Sequence, residues 1–346
     1  MTVRQWEAEV VRITERYLSW RKRRRIARRE KQKKKNPIID WLDAILSAVV
    51  IVLLINQYLL QAYQIPSQSM VPTLLVSDRI FVNKLVYGPE IAPGILKMPG
   101  FRVPARGDVI IFENPEYLPN KSSVLGPVLM DVLQRVIYMV TLSLVDIDRD
   151  QNGNPKHHFL IKREIGVGGD RLRMREGNVE ILTPGETEWK PEPTLKQELG
   201  FTYPTVRSFT PDEYPLFKAS GIGIALELAG LPMTDQQKSA VSRYFQFSKD
   251  PQGKTQIEIT AINDGKYFDA WRYRTIAEMD PSNLPAQITW TILQNGWYID
   301  TNSIFPMGDN RDDSHDARYF GEVRLAKVLG KGLFRYWPLG RFGLVR

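Results

Sequence analysis

The chain has 346 residues, of which 43% are apolar and 25% are charged, a composition typical of a globular protein with one large domain or two smaller ones. It contains no cysteine, which excludes structural disulfides, Cys-ligated zinc and a thiol nucleophile. The formal charge of +8 comes from residues 21–35, where eleven Lys or Arg and one Glu carry +10, so the rest of the chain carries −2. The body is therefore not basic, and we expect no nucleic-acid partner.

The first part of the chain has the pattern of a basic tail followed by a membrane anchor. Residues 1–20 place apolar side chains near helical spacing, and the polybasic run 21–35 follows. Residues 42–62 are almost entirely apolar or uncharged, and about 20 such residues span a bilayer core. Because the Lys and Arg excess precedes the span, we predict a cytoplasmic tail over 1–36, an anchor helix over 37–62 and all later residues on the outer face. The tail would then contact anionic lipid through its polybasic run.

Short runs with the alternation of β-strands dominate the chain after the anchor. Residues 184–215 are rich in Pro and polar groups, which predicts a loop, and residues 219–247 have helical periodicity. The predicted strands are 78–86, 107–112, 159–165, 171–181, 255–262 and 288–299. We predict a mainly β fold with a mixed α/β insertion, divided into a first core part (63–182), the insertion (183–303) and a last core part (304–346).

A second apolar stretch, residues 124–145, is long enough to span a membrane but carries Asp131 and Arg135 near its middle. Each of these charges would cost about 2.5–3.5 kcal/mol at the centre of a bilayer. A span here would also put the serine motif and the lysine motif, described next, on opposite sides of the membrane. We therefore predict an amphipathic helix, and the sequence leaves open whether it packs on the body or lies in the membrane interface.

Two motifs carry candidate chemistry. The first, IPSQSMVPTL (residues 65–74), places serines in a Pro-bounded turn just beyond the anchor, and the second, FLIKREIGVGGD (residues 159–170), places Lys162 in an apolar strand. A serine hydroxyl needs a base to take its proton, and a buried lysine can be that base because burial disfavours its charged form. Taken alone, each motif also fits an ordinary turn serine or a solvated strand lysine. If Ser69 and Lys162 meet in space, the protein is a Ser/Lys hydrolase.

Four motifs in this order make the chain resemble the bacterial type I signal peptidases, or leader peptidases. IPSQSMVPTL resembles their nucleophile box, RGDVIIFENP (residues 106–115) the following strand box, KREIGVGGD (residues 162–170) the lysine box, and MGDNRDDSHDARYFG (residues 307–321) the last box. The resemblance implies a signal-peptidase-like β catalytic core behind one transmembrane helix. It also implies a membrane-bound serine endopeptidase that forms an acyl-enzyme and removes N-terminal signal peptides from secreted preproteins, at the outer face of the bacterial cytoplasmic membrane.

The resemblance also implies roles for individual residues. Ser69 matches the nucleophile, Lys162 the general base, and Ser67 the hydroxyl that joins the backbone N–H of Ser69 in the oxyanion hole. One further serine matches the residue that bonds the lysine amine, and four charged residues match those that brace the site: Ser314, Arg163, Asp309, Asp316 and Arg318. We expect the ion pairs Arg163–Asp309 and Asp316–Arg318. The resemblance implies no cofactor and no metal, and we expect a monomer.

Three alternatives compete with this interpretation. His315 and Asp316 could imitate a Ser-His-Asp triad around Ser69, although adjacent side chains on one segment usually diverge. A self-cleaving Ser/Lys protease of the repressor type shares the dyad, but it has no membrane span and would need a DNA-binding domain. A non-catalytic polybasic membrane scaffold would use residues 21–35 and would not depend on Ser69.

Overall fold

The structure of the protein is a computed structural model that describes residues 3–33, 37–92, 96–116, 137, 141, 159–175, 177–207, 214–247 and 266–346. The chain divides into two compact units, Met1–Leu54 and Ile55–Arg346. The helix predicted over 124–145 lies outside the described residues, except for 137 and 141, and so does the strand predicted over 255–262.

Two long helices begin the chain, α1 (Val3–Lys33) and α2 (Pro37–Tyr58). Among the described residues, Ile38–Tyr58 is the one helix long and apolar enough to cross a membrane. The anchor predicted over 37–62 is wrong at its end, because the helix stops at Tyr58 and residues Leu60–Gln64 form a strand. These residues carry no charge, which allowed the anchor to be predicted past Tyr58, but their backbone groups pair with a second strand, Arg79–Asn83, instead of continuing the helix.

Fourteen strands and six further helices are described after α2. The strands are β1 (Leu60–Gln64), β2 (Arg79–Asn83), β3 (Glu90–Ala92), β4 (Leu96–Lys97), β5 (Val109–Glu113), β6 (Phe159–Val167), β7 (Arg171–Arg175), β8 (Asn178–Leu182), β9 (Lys190–Pro191), β10 (Trp297–Tyr298), β11 (Ser303–Met307), β12 (Val323–Arg324), β13 (Val328–Trp337) and β14 (Gly343–Leu344). The helices are α3 (Glu192–Leu199), α4 (Tyr214–Leu228), α5 (Asp235–Phe247), α6 (Lys266–Met279), α7 (Leu284–Asn295) and α8 (Ala317–Phe320). Two single turns of 3₁₀-helix follow, Leu325–Lys327 and Leu339–Arg341.

The main sheet places the lysine motif on an interior strand. Eight strands form this curled antiparallel sheet in the order β1-β2-β13-β5-β6-β11-β12, with β14 beside β13. On β6, Lys162 pairs with Ile110 of β5, while Arg163 pairs with Val109 of β5 and Met307 of β11. Since β11 ends at Met307, the last motif leaves the sheet next to the lysine, which brings two distant motifs together.

A buried apolar cluster holds the serine motif against this sheet. It joins side chains from β1, β2, β5, β6, β13 and the serine motif: Tyr63, Ile65, Met70, Leu74, Ile80, Val82, Val109, Ile111, Ile161, Leu329 and Val345. Met70 and Leu74, which follow the candidate nucleophile, are 1% and 0% exposed. Full burial of an apolar side chain of this size contributes about 1.5–3 kcal/mol, so the cluster fixes where the serine turn lies.

A small second sheet and several helices lie in and next to the predicted insertion, and two strands of that sheet, β7 and β8, precede residue 183. The sheet has the order β10-β7-β8-β9, and the run predicted as one strand over 171–181 is a hairpin that turns at Gly177, where φ is 70°. The predicted loop 184–215 contains β9 and α3, so that prediction is wrong in part. The helical periodicity of 219–247 is confirmed by α4 and α5. The predicted fold class, a β core with a mixed insertion and one apolar N-terminal helix, is confirmed.

The strand predicted over 288–299 is wrong. Ile288, Trp290 and Ile292 alternate with polar residues as in a strand, but the segment is helical up to Asn295 and only Trp297–Tyr298 form a strand. The cause is the start signal upstream. The Asn283 side chain accepts a hydrogen bond from Ala286 N (3.1 Å), and a proline lies in the first turn, where its missing N–H costs nothing.

We expect Asn283→Ala to lower the free energy of unfolding by about 1 kcal/mol, because the first turn of α7 loses its side-chain cap. The measurement is the denaturation midpoint by circular dichroism. Asn295→Ala, at the exposed opposite end of the same helix, is the control and should change stability by less than about 0.5 kcal/mol. Equal midpoints for both variants would contradict the assigned start of the helix.

Candidate active site

The serine motif forms a closed loop between β1 and β2, residues 65–77, which we call the serine loop. Ile65 N donates to Asp78 O (2.8 Å) and Ser77 N donates to Ile65 O (2.9 Å), so the loop begins and ends at one point. The Asp78 carboxylate is itself held, because it accepts hydrogen bonds from Leu75 N (2.8 Å) and Arg341 Nη1 (2.8 Å). The backbone that carries Ser69 is therefore fixed by hydrogen bonds as well as by the apolar side chains that flank it.

Ser69 and Lys162 lie in direct contact, although they are 93 positions apart in the chain. Lys162 Nζ donates to Ser69 Oγ at 2.7 Å, and the two residues are only 4% and 7% exposed. Ser67 Oγ donates to Ser69 Oγ at 3.2 Å, and Ser67 is exposed at the mouth of the site. The structure therefore brings together the three residues that the sequence assigns to the nucleophile, the base and the oxyanion hole.

Burial of Lys162 changes the chemistry of its amine. The pKa of Lys162 is lowered from 10.5 to about 8, mainly because removal from water disfavours the ammonium form. Arg318 acts in the same direction, while Asp316, Asp309 and Asp313 oppose the shift. About half of the Lys162 amines are then neutral at pH 8, against well under 1% for a solvated lysine. A neutral amine in contact with a hydroxyl can accept its proton.

The segment that follows β11, which we call the 308–318 loop, packs directly on the serine loop. Asn310 N donates to Ser69 O at 3.1 Å, and Asn310 Nδ2 donates to Gln68 O at 3.4 Å. Gly308 has no room for a side chain, since a Cβ there would lie 2.2 Å from Ser314 Oγ and 2.5 Å from Ser69 O. The loop thus contacts Ser69 through backbone atoms, with no space for a side chain at position 308.

The first ion pair expected from the sequence is present and fully buried. Arg163 Nε and Nη2 donate to the two carboxylate oxygens of Asp309, each at 2.7 Å, in a bidentate arrangement. The remaining Arg163 donors reach Gly107 O at 2.8 Å and Arg346 O at 3.1 Å. Thr73 Oγ1, in the serine motif, donates to Asp309 Oδ2 at 2.5 Å, so this pair joins the serine loop, β6 and the 308–318 loop.

The second expected ion pair, Asp316–Arg318, is also present and buried. Arg318 Nε donates to Asp316 Oδ1 at 2.8 Å, and Gly308 N donates to Asp316 Oδ2 at 2.9 Å. Although burial opposes ionisation, Arg318 and these hydrogen bonds lower the pKa of Asp316 to about 2, so it is an anion at neutral pH. Ser314 Oγ donates to Asp316 Oδ2 at 2.7 Å, whereas its hydrogen bond to the Lys162 amine stays a prediction.

His315 occupies a different surface from the dyad. Its Nε2 lies 2.6 Å from Glu116 Oε2, its ring stacks on Tyr319 at 4.5 Å between centroids, and its side chain is 52% exposed. Asp316, which would have to orient it, is bound to Arg318 instead. The alternative triad of Ser69, His315 and Asp316 is therefore contradicted by the geometry. Elsewhere in the described ranges, no three His, Asp or Glu residues are grouped in a way that could hold a metal ion.

Sequence reasoning missed several residues that contact this site. Four of them lie inside the quoted motifs, and that position is the signal by which the sequence marks them: Thr73, Gly308, Asn310 and Arg311. Two others come from the predicted insertion, where no motif marks them: Glu192, whose carboxylate binds Arg311, and Tyr203, whose ring faces Arg163. Only the folded chain brings these two residues to the site.

Comparison with known proteins agrees with this arrangement. The family described as signal peptidase, peptidase S26, matches residues 38–337. Signal peptidase I of Aquifex aeolicus is 47% identical over 294 residues, which cover 84% of this chain and 80% of that protein. Signal peptidase I of Buchnera aphidicola from Schizaphis graminum is 25% identical over 298 residues (84% and 72%), and that of Haemophilus influenzae is 24% identical over 313 residues (87% and 72%). The family indicated by the four motifs is confirmed, and the chain belongs to the signal peptidase family, peptidase S26.

Proposed function

We propose that this protein is a membrane-anchored serine endopeptidase that removes signal peptides from secreted preproteins, with Ser69 as nucleophile and Lys162 as general base. The observation that carries this proposal is the 2.7 Å contact between Lys162 Nζ and Ser69 Oγ, made by an amine whose pKa is lowered to about 8 by burial. The names of the relatives, each a signal peptidase I, support the substrate class.

The reaction follows from the two groups in contact. Neutral Lys162 takes the Ser69 Oγ proton as the oxygen attacks the scissile carbonyl carbon, and the resulting ammonium then protonates the leaving amine as the C–N bond breaks. The mature protein leaves with a new N-terminus, and the signal peptide stays as an ester on Ser69. A water molecule, deprotonated by Lys162, attacks that ester, and the lysine returns the proton to Ser69 Oγ.

The negative charge that develops on the carbonyl oxygen needs hydrogen-bond donors. The backbone N–H of Ser69 and the hydroxyl of Ser67 are the proposed donors, and removal of one such donor typically costs about 3–4 kcal/mol of transition-state stabilisation. Arg163 and Asp309 would fix the serine loop on β6. Ser314, Asp316 and Arg318 would fix the loop behind the lysine.

We expect Ser69→Ala and Lys162→Met each to lower cleavage of a preprotein by at least about 10⁴-fold, because the nucleophile or its base is lost. The measurement is the rate of signal-peptide release by the full-length enzyme in detergent micelles. Ser220→Ala and Lys97→Met are matched controls, since Ser220 is another buried serine and burial also lowers the pKa of Lys97. Undiminished cleavage by Ser69→Ala would show that Ser69 is not the nucleophile, whereas absence of cleavage by the wild type would leave the non-catalytic scaffold as the better description.

The pH dependence of kcat/KM should report the titration of Lys162. Below pH 8 the rate should fall about tenfold per pH unit, because only the neutral amine can act as the base. The half-buried Asp313 raises the Lys162 pKa, so Asp313→Asn should move this limb to lower pH and increase the rate at pH 6. Asp235→Asn, on an exposed helix of the insertion, is the control and should leave the limb unchanged. A limb that does not move in Asp313→Asn would show that another group titrates.

The membrane arrangement is part of the proposal. The polybasic run 21–35 precedes the apolar helix Ile38–Tyr58, which supports a cytoplasmic N-terminus and a body on the outer face of the bacterial cytoplasmic membrane. The body is proposed to act as a monomer. Each Lys or Arg near an anionic leaflet contributes about 1 kcal/mol of attraction, so the tail supports this orientation.

The lack of cysteine makes the orientation directly measurable. We expect Thr187→Cys, in the body, to react with a membrane-impermeant maleimide in intact bacterial spheroplasts, and Ser19→Cys, in α1, to react only after lysis. Both positions are exposed, so accessibility depends on the membrane alone. Labelling of Ser19→Cys but not Thr187→Cys before lysis would reverse the proposed orientation.

A further inference from the structure

A segment of the predicted insertion lies against the 308–318 loop. Residues 192–207, which we call the brace segment, include α3 and the extended chain after it. Val206 N donates to Asp309 O at 2.9 Å, and Arg311 N donates to Val206 O at 3.0 Å, which forms a parallel bridge between Val206 and Asn310. The backbone of the brace segment therefore pairs with the same residues that contact the serine loop.

The brace segment also contributes a buried carboxylate to this loop. Glu192 accepts two hydrogen bonds from the Arg311 guanidinium, one of them Nη2 to Oε1 at 2.7 Å, and a third from Tyr203 OH at 2.8 Å. The Glu192 and Arg311 residues are 5% and 3% exposed. Burying both charges is costly, and such a pair usually adds little net stability compared with apolar residues of the same size. Its value lies in the fixed position of the guanidinium.

From Arg311 the contacts continue to the nucleophile. Arg311 Nε donates to Gly308 O at 2.9 Å, and Gly308 packs so closely on Ser69 O that no side chain fits between them. A displacement of the guanidinium would therefore move the Gly308 backbone and, with it, the surface on which Ser69 rests.

Tyr203 links the brace segment to the other buried cation of the site. Its ring faces the Arg163 guanidinium at 4.3 Å, while its hydroxyl binds Glu192. Arg163 holds Asp309 by the bidentate pair described above. Tyr203 thus contacts Arg163 directly through its ring and is linked to Arg311 through Glu192.

We propose that Glu192 and Tyr203 are positioning residues for peptide cleavage, which hold the 308–318 loop against Ser69 through Arg311 and Arg163. This inference rests on the proposed function, since it assumes that Ser69 is the nucleophile. It gives the insertion a part in catalysis through two residues that act on the dyad only by way of Arg311 and Arg163.

The test compares Glu192→Gln, Glu192→Asp and Tyr203→Phe in the full-length enzyme, with kcat and KM measured on a preprotein peptide. Glu192→Gln should lower kcat by about 100-fold with KM within about twofold, because a small misplacement of the reacting groups acts on the chemical step. Glu192→Asp keeps the charge and should recover part of kcat, and Tyr203→Phe, which keeps the ring but loses the hydroxyl, should lose several-fold by the same reasoning. The control is Glu180→Gln, which breaks the Arg173–Glu180 pair (2.7 Å) in the small sheet, just before the insertion, and should leave kcat unchanged.

Thermal unfolding of each variant shows whether it is folded at the assay temperature. If Glu192→Gln is folded and its kcat equals that of the wild type, the inference is wrong. If Glu192→Gln does not fold, Glu192→Asp and Tyr203→Phe decide, and unchanged kcat in both overturns the inference. A fall in kcat for Glu180→Gln equal to that for Glu192→Gln would show that any lost ion pair around the small sheet has this effect, and it would overturn the inference. Ser69→Ala separates the two claims, because an active Ser69→Ala removes the proposed function itself.

Discussion

The rest of this site depends on one contact, that of the buried Lys162 amine with the Ser69 hydroxyl. Burial of an ammonium costs several kcal/mol, so Lys162 is easily neutral only where no net negative charge restores its proton. Two of the carboxylates that act on it are already bound to cations, Asp309 to Arg163 and Asp316 to Arg318. Because the arginine of each pair offsets the charge of its carboxylate, acidic groups can lie around the site while the Lys162 amine keeps its lowered pKa.

The same pairs explain how distant parts of the chain come together. Arg163 follows Lys162 on β6 and Asp309 follows β11, so the antiparallel pairing of these two strands places the arginine beside its carboxylate. Thr73 adds the serine loop to that pair. The Arg163 guanidinium therefore holds β6, the 308–318 loop and the serine loop together. The relative position of these segments decides whether the Ser69 hydroxyl contacts the Lys162 amine.

Much of the site could be predicted because its residues lie in compact motifs with characteristic spacing. Ser69, Lys162, Arg163, Asp309, Asp316 and Arg318 all come from such motifs. Glu192 and Tyr203 could not be predicted, since their segment has no periodic pattern and its role depends on long-range contacts. The strand prediction for 288–299 is wrong for a local reason. The alternation of apolar and polar residues there is typical of a strand, but Asn283 upstream caps the first turn of a helix.

The closeness of Gly308 and Asn310 to the carbonyl of Ser69 has a consequence for selectivity. The nucleophile and its amine are in contact in the free protein, supported by backbone bonds that no substrate has to create. Under the proposed function, no closure is needed to bring the Ser69 hydroxyl and the Lys162 amine together, so induced fit at these two groups would contribute little to the discrimination between peptides. Choice among substrates must then be made before chemistry begins, by which extended segments of chain gain access to the hydroxyl.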